Sequence, residues 1–462
     1  GFASNVSIYP IKVRNPMDLE GYARRLLERL DEDKVREMLI ERIMEIKGWN
    51  YERAKRWADA VILEVKNAYS KSSPILEYYK SGVKMGEFGV GSRGKGDFYV
   101  HSKIAEIIGS TKAVISSRDL DDAGVVKVSE RYISVAVDGI HSRLSEFPFI
   151  AGFHVTRAAM RDVYVMGAKP IAVFSDIHVA DDGDVSKIFD HIAGITAVCD
   201  LVGVPLVAGS TLRIGGDMVI GERMTGCVGC VGVSEYITPR KNVKEGDVIL
   251  LTEGAGGGTI ATTAIYYGMH EVVEETLNID FLIACEEIFK AGLVKGIHSM
   301  SDVTNGGIRG DAEEIARVSG KSLVFDYERC RSVVNPKVLK MLEELEIDFM
   351  GVSIDSLMVV CPEDTAEDVK SVVRKAGIKI EEVGWVEAGE GAYVIEDGTK
   401  KPLKPRFRES AYTPIKKVVG EETPKDFEEM KRKIDEAVAK AVEKKEMVIR
   451  KILARRTALP NG

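Results

Sequence analysis

The sequence predicts a mixed α/β (α+β) protein, with two α/β domains flanked by helical extensions. Three observations lead there. Short runs rich in β-branched residues recur from residue 112 onward. Helical patterns alternate with them, as in layered α/β folds. The chain has 462 residues, 45% hydrophobic and 29% charged, enough for two or three globular domains. Its net charge of -8 argues against nucleic acid or an anionic membrane as the main partner. Six scattered cysteines, no long apolar run and no basic-then-apolar leader predict a cytoplasmic protein with reduced thiols.

Residues 1–16 look unlike the rest of the chain and read as an arm or an expression remnant, since Met17 is the first methionine. Residues 17–80 read as a helical module that packs as an appendage. Asn15-Pro16 offers it a cap and a first-turn proline. Val35, Met38, Leu39, Ile43 and Ile46 form one stripe, broken by Gly48; Trp57, Val61, Val65 and Tyr69 form another. Residues 81–109 hold "GEFGVGSRGKGDFYVH" and a connecting helix. Five glycines fall between Gly86 and Gly96, with Arg93 and Lys95 among them and Asp97 closing the run.

Residues 110–240 form the first α/β domain. "AVISS", "YISVAVDG", "IAVFSDIHV" and "VPLVAGST" read as strands, with helices over Ala151–Gly167 and Val185–Val202. "MTGCVGCVGV" is a further strand. Cys227 and Cys230 are three apart, so they fall on different faces and read as buried thiols rather than a metal or redox pair. Residues 241–400 form the second domain, with strands "VILLTEG", "SLVFDYE" and "DSLMVVCP" and helices Ile260–Tyr267, Pro336–Leu345 and Ala366–Ala376. Residues 401–462 are an extension ending in a long helix. Thr423-Pro424 opens it, and Phe427, Met430, Ile434, Val438, Ala441 and Val442 stripe it. That helix packs on its own domain or on a second subunit.

The candidate chemistry sits at element ends. Asp121 and Asp122, Asp138, Asp162, the Gly209-Ser210-Thr211 run, and Asp302 with Thr304 each close or follow a strand or helix. Asn305, Gly306 and Gly307 then precede a helix. One such carboxylate is ordinarily a turn or a cap. Several, on several loops, are how proteins hold Mg²⁺ for a nucleotide, and glycines let backbone N–H groups approach phosphates.

In order and spacing, "DDAGV", "VDGIHSRL", "RDVYVMGAKP", "AGST", "EGDVILLTEGAG" and "SDVTNGGIRGDAEEIA" resemble one superfamily over residues 110–400. It is that of aminoimidazole ribonucleotide (AIR) synthase, selenophosphate synthetase, thiamine-monophosphate kinase and the hydrogenase-maturation carbamoyl dehydratase. "FPFIAGFHVTRAAMRDVYVMGAKP" looks closest to the hydrogenase-maturation branch. The resemblance implies a two-domain AIR synthase-like fold. Its first domain, a four-stranded unit, pairs in a homodimer into a β-barrel. It also implies ATP in the cleft between the domains, with Mg²⁺ on its phosphates. By motif, Asp121, Asp122, Asp138 and Asp302 would be metal ligands. Asp162, Gly209, Ser210, Thr211, Thr304, Asn305, Gly306 and Gly307 would line the nucleotide.

Selenophosphate synthetases carry a Gly-x-Gly-Cys-Lys lid, and Gly89-Val90-Gly91-Ser92-Arg93 is similar to it. With Gly94 and Gly96, this stretch would be a mobile lid, and Arg93 and Lys95 would contact the triphosphate. Asp138 and His141 complete the catalytic candidates; His154 reads as structural. Ser92 stands where the selenium-handling Cys would be, which argues against selenophosphate synthesis. The end "RRTALPNG" lacks the terminal Cys of the maturation dehydratase, which argues against that chemistry. The expectation is an ATP-dependent enzyme that activates a small-molecule or protein-linked substrate by Mg-assisted phosphoryl transfer. The alternative is a nucleotide-binding scaffold or maturation partner without turnover. A dinucleotide oxidoreductase fits poorly, because "GAGGGT" lacks the Gly-x-Gly-x-x-Gly spacing.

Overall fold

A computed structural model describes residues 17–70, 73–304 and 306–457. The expected arm over residues 1–16 and the Asn15-Pro16 cap lie outside the described residues. Three helices, Leu19–Leu27, Glu32–Lys47 and Tyr51–Ala68, build the N-terminal module. Asp18 caps the first by accepting from Gly21 N–H, Asp31 caps the second, and Gly48 ends it in the left-handed region. Their apolar stripes meet in one core around Leu39, Ile43, Val61 and Val65. The module is fastened to the first α/β domain. Met17–Asp18 pairs with Val219–Ile220, and the Lys47 ammonium pairs with Asp181 and Asp182.

The first α/β domain has a five-stranded sheet rather than the four strands expected. Its strands are Gly124–Val128 (β1), Arg131–Gly139 (β2), Lys169–Val179 (β3), Leu206–Arg213 (β4) and Met224–Ser234 (β5). Their order is β1-β2-β5-β3-β4, antiparallel except for the parallel pair β3–β4. "AVISS" contributes only a bridge from Ile115 to Val125. The chain turns there instead, because Ser116 and Asp119 form a reciprocal capping box over Ser117–Asp119.

Helices Pro148–Tyr164 and Ser186–Val202 cover one face of this sheet. The other face is open. Val135, Val137, Ile171, Val207 and Leu212 are all exposed there or on its edge. The single chain forms an open sheet, not a closed barrel.

The second domain is a seven-stranded sheet of Val248–Thr252 (β6), Ser299–Asp302 (β7), Ser322–Asp326 (β8), Leu357–Cys361 (β9), Ile380–Glu387 (β10), Ala392–Glu396 (β11) and Thr399–Pro402 (β12). Its order is β12-β11-β8-β10-β6-β9-β7, and only β8–β11 is parallel. β6 and β9 are buried throughout, as expected of apolar strands covered on both faces. Asp280–Lys290 and Glu363–Lys375 pack between this sheet and the first domain's helices, so one core runs through both domains. Gly258–Tyr266, Gly307–Ser319 and Pro336–Glu344 cover the far face.

The glycine-rich stretch, expected to be a mobile lid, packs against its own chain in this structure. Gly91 and Arg93 donate backbone N–H bonds to the buried Asp97 carboxylate. Gly96 is already inside helix Lys95–Ile108. A Cβ on Gly94 would sit 2.1 Å from the Phe407 carbonyl oxygen, and one on Gly96 would sit 1.8 Å from that of Phe88. At these two positions glycine serves close backbone approach. The C-terminal helix Phe427–Thr457 closes the arrangement. Phe427 stacks on Phe88 at 5.0 Å between ring centres and meets Phe407 at 5.3 Å, while Asp435 pairs with Lys103. The long helix therefore packs within its own chain, against helix Lys95–Ile108.

Candidate active site

A cleft of about 600 Å³ opens between the two α/β domains, with the glycine-rich stretch and the residues after 402 at its mouth. Its floor is acidic. Asp122 precedes β1 in the turn that leads into it, Asp162 lies on helix Pro148–Tyr164, and Asp302 ends β7. Each offers a carboxylate oxygen, and these oxygens lie within 4.8 Å of one another. Asp138, near the end of β2, joins the lining beside Asp162. The burial of Asp162 and its neighbour Asp138 push its carboxyl well above the usual range. Burial does the same to Asp122 against the pull of Arg240, and it raises Asp302 against the pull of Arg161. One oxygen each of Asp122 and Asp138 is buried without a hydrogen-bond partner.

Buried arginines hold this floor in place. Arg161 donates to Asp302 at 3.0 Å and to Asp355 at 2.8 Å. Arg157 shares Asp355 at 2.8 Å and reaches the carbonyls of Gly256, Thr276 and Asn278. Arg240 donates to Asp122 at 2.9 Å, Asp311 at 3.1 Å and Glu314 at 2.6 Å. These bonds leave the carboxylates little freedom to turn.

The other sequence-predicted residues divide. Asp121 lines the cleft, but its carboxylate accepts from the Arg240 backbone N–H at 2.8 Å and lies outside the three-carboxylate group. Arg93 projects into the cleft in the field of Glu409, Asp138, Asp97 and Asp162. Lys95 is exposed and does not line the cleft. Gly91 and Thr304 line it; Gly89, Ser92, Gly94 and Gly96 do not. Gly306 and Gly307, both at positive φ, pack against the carbonyls of Arg93 and Met350 rather than facing the opening. Asn305 lies outside the described residues. Gly209, Ser210 and Thr211 are exposed on β4, away from the cleft of this chain.

His141 lines the cleft and is pushed down to about 4 by burial and by Lys416, Arg93 and Arg143. Its ring nitrogens meet Tyr412 Oη at 3.0 Å and Thr262 Oγ1 at 3.2 Å. His154 is buried against Thr276 at 3.1 Å. Sequence reading missed Arg157, Arg240, Asp355, Glu409, Tyr412 and Lys416. Arg161 stands directly before Asp162, yet nothing local in the sequence marks it as the residue that holds Asp302.

With this arrangement in place, comparison with known proteins places the chain. The AIR synthase related N-terminal domain matches residues 120–233, and the C-terminal domain matches residues 244–397. The chain belongs to the AIR synthase related family. It is 54% identical over 446 residues to an uncharacterized protein of Methanocaldococcus jannaschii, covering 94% of this chain and 98% of that one. A selenide, water dikinase of Myxococcus xanthus is 26% identical over 238 residues, 49% of this chain and 66% of that one. Among solved structures, the hydrogenase maturation protein HypE in complex with ATP aligns with a TM-score of 0.51 at 17% identity. That match covers 69% of this chain and 97% of that one, and it shows a shared fold. Among the described residues, no helix is long and apolar enough to cross a membrane.

Proposed function

We propose that this chain is an ATP-dependent enzyme that transfers the γ-phosphoryl group of ATP to an acceptor held in the interdomain cleft. The observation that carries the reading is the group formed by Asp122, Asp162 and Asp302. They are three hard oxygen donors gathered from two domains, and one oxygen of Asp122 itself and one of the adjacent Asp138 are buried without a partner. Buried carboxylates so close together call for a cation, and oxygen donors alone suit Mg²⁺. Asp122, Asp162 and Asp302 would hold it. When bound, Mg²⁺ supplies charge neutralisation for triphosphate oxygens. The chain's own residues do the rest. Arg93 presents guanidinium donors to the phosphates from the cleft mouth. Arg161 and Arg240 keep the carboxylates aimed. The relatives named dikinase and the ATP complex of HypE support the same reading.

Calorimetry tests it. ATP should bind in the presence of Mg²⁺ and bind much more weakly after chelation. Arg93→Ala should weaken binding by about 1.5–3 kcal/mol, roughly ten- to a hundredfold. Equal binding with and without Mg²⁺ would contradict the reading.

The open face of the first sheet supports a homodimer. Val137 and Val207 are 62% and 61% exposed, and Val135, Ile171 and Leu212 extend the apolar area. A monomer rarely leaves so much contiguous apolar surface in water. Light scattering should give twice the chain mass at micromolar concentration. Val137→Glu should shift the population to monomer with Mg·ATP binding tracked in parallel. A wild-type chain that stays monomeric at high concentration would rule the dimer out.

A further inference from the structure

One end of the cleft comes from parts of the chain outside both matched family stretches. Arg93 and His101 precede residue 120, and Glu409, Tyr412 and Lys416 follow residue 397. Glu409 is the carboxylate among them. It is 7% exposed, lines the cleft, and is fixed beside the glycine-rich stretch by its backbone N–H, which donates to Ser92 O at 2.7 Å. Its side chain meets Lys416 Nζ at 3.5 Å, longer than a tight charge-assisted bond. The carboxylate therefore keeps acceptor capacity toward the cleft. The groups that face it are Arg93 and Asp97 from the glycine-rich side, Lys416 from helix Pro414–Val419, and Tyr412 on its own segment.

Most other cleft residues are committed elsewhere, and Asp138 sits beside Asp162 at the cation group. Asp122, Asp162 and Asp302 form the cation group. Both ring nitrogens of His141 are engaged, by Tyr412 and Thr262. Burial and neighbouring cations also make that imidazole a weak base. Asp121 is held by Arg240 N–H. Glu409, outside the cation group, is placed to handle a proton.

We infer that Glu409 is the general base that deprotonates the acceptor, and that the acceptor is therefore a protic group, a hydroxyl or an N–H, rather than one already ionised at neutral pH. The inference rests on the phosphoryl-transfer reading above. In the step, a lone pair of the acceptor oxygen or nitrogen forms the bond to the γ-phosphorus. The acceptor's proton passes to Glu409. The bond from the γ-phosphorus to the bridging oxygen breaks, and its electron pair leaves with ADP. Burial raises the Glu409 carboxyl to about 7, against the opposing pull of Lys416 and Arg93, which is where a base for neutral pH is most effective.

Water serves as the probe acceptor. The full chain is given ATP and Mg²⁺, phosphate release is followed across the neutral pH range, and ATP affinity is measured in parallel. The wild-type rate should rise with pH to a plateau, with a midpoint near neutrality, as Glu409 loses its proton. Glu409→Gln should cut the rate by about a hundredfold and flatten the profile, while ATP affinity and melting temperature stay near wild type. Glu409→Asp should restore part of the rate and the pH dependence. A Glu409→Gln protein with the wild-type rate and profile would overturn the inference, as would a Glu409→Asp protein no more active than Glu409→Gln. So would a wild type that binds Mg·ATP but releases no phosphate at any pH. Failure of the wild type to bind ATP at all overturns the nucleotide reading itself, and calorimetry separates that result from the others.

Discussion

Arg240→Ala is expected to cost the fold about 3–5 kcal/mol. Arg240 is 1% exposed, and its guanidinium spans Asp122, Asp311, Glu314 and the Leu120 carbonyl. Removing it strands three carboxylates in a low-dielectric interior, which costs far more than the net worth of the pairs. Burial already pushes Asp122 and Asp311 well above the usual carboxylate range. A group whose folded pKa lies above its unfolded value loses stability as pH rises. Without Arg240 that loss steepens. The penalty should be largest at neutral pH and shrink as the pH falls and the carboxyls take up protons. Urea midpoints for both proteins at neutral and mildly acidic pH measure this. Equal midpoints at neutral pH would mean the carboxylates do not depend on Arg240.

That network also shows where the sequence was readable and where it was not. Asp122, Asp138, Asp162 and Asp302 could be singled out because each ends or adjoins a regular element next to small residues, a local signal. Arg240 could not. Its contact with Asp122 spans 118 positions, and nothing in "TPRKNVKEGD" marks one cation as buried. Glu409 and Tyr412 were hidden for the same reason. They lie in an irregular stretch anchored by Phe407, which packs on Phe427, which in turn stacks on Phe88. The glycine-rich stretch is ambiguous in a different way. Glycine density signals permissive backbone, but the same residue also permits contact with a carbonyl, and only the fold decides which use applies. The strands were readable from β-branched runs, whereas "AVISS" became a turn because Ser116 and Asp119 satisfy the backbone locally.

The second large effect separates two neighbouring readings of the acidic motifs. Asp162→Asn should lower Mg-dependent ATP turnover by about a hundredfold or more, because losing a metal ligand costs at least as much as losing its supporting partner. Asp162 belongs to the group with Asp122 and Asp302, whose oxygens lie within 4.8 Å of one another. Asparagine keeps the shape but removes the charge that a hard cation needs. The same change relieves repulsion among buried carboxylates, so the variant should melt at or above the wild-type temperature when no metal is present. Stability and activity should therefore move in opposite directions, which a folding defect cannot produce. Asp121→Asn supplies the contrast. Its carboxylate accepts from Arg240 N–H instead of joining the group, so the variant should keep its Mg²⁺ requirement and lose some stability. Turnover against Mg²⁺ concentration, with melting curves taken in chelator, reads both effects. If Asp121→Asn abolishes the Mg²⁺ response and Asp162→Asn leaves it intact, the cation sits on the set with Asp121 that the motif resemblance implied, and the group around Asp162 is not its site.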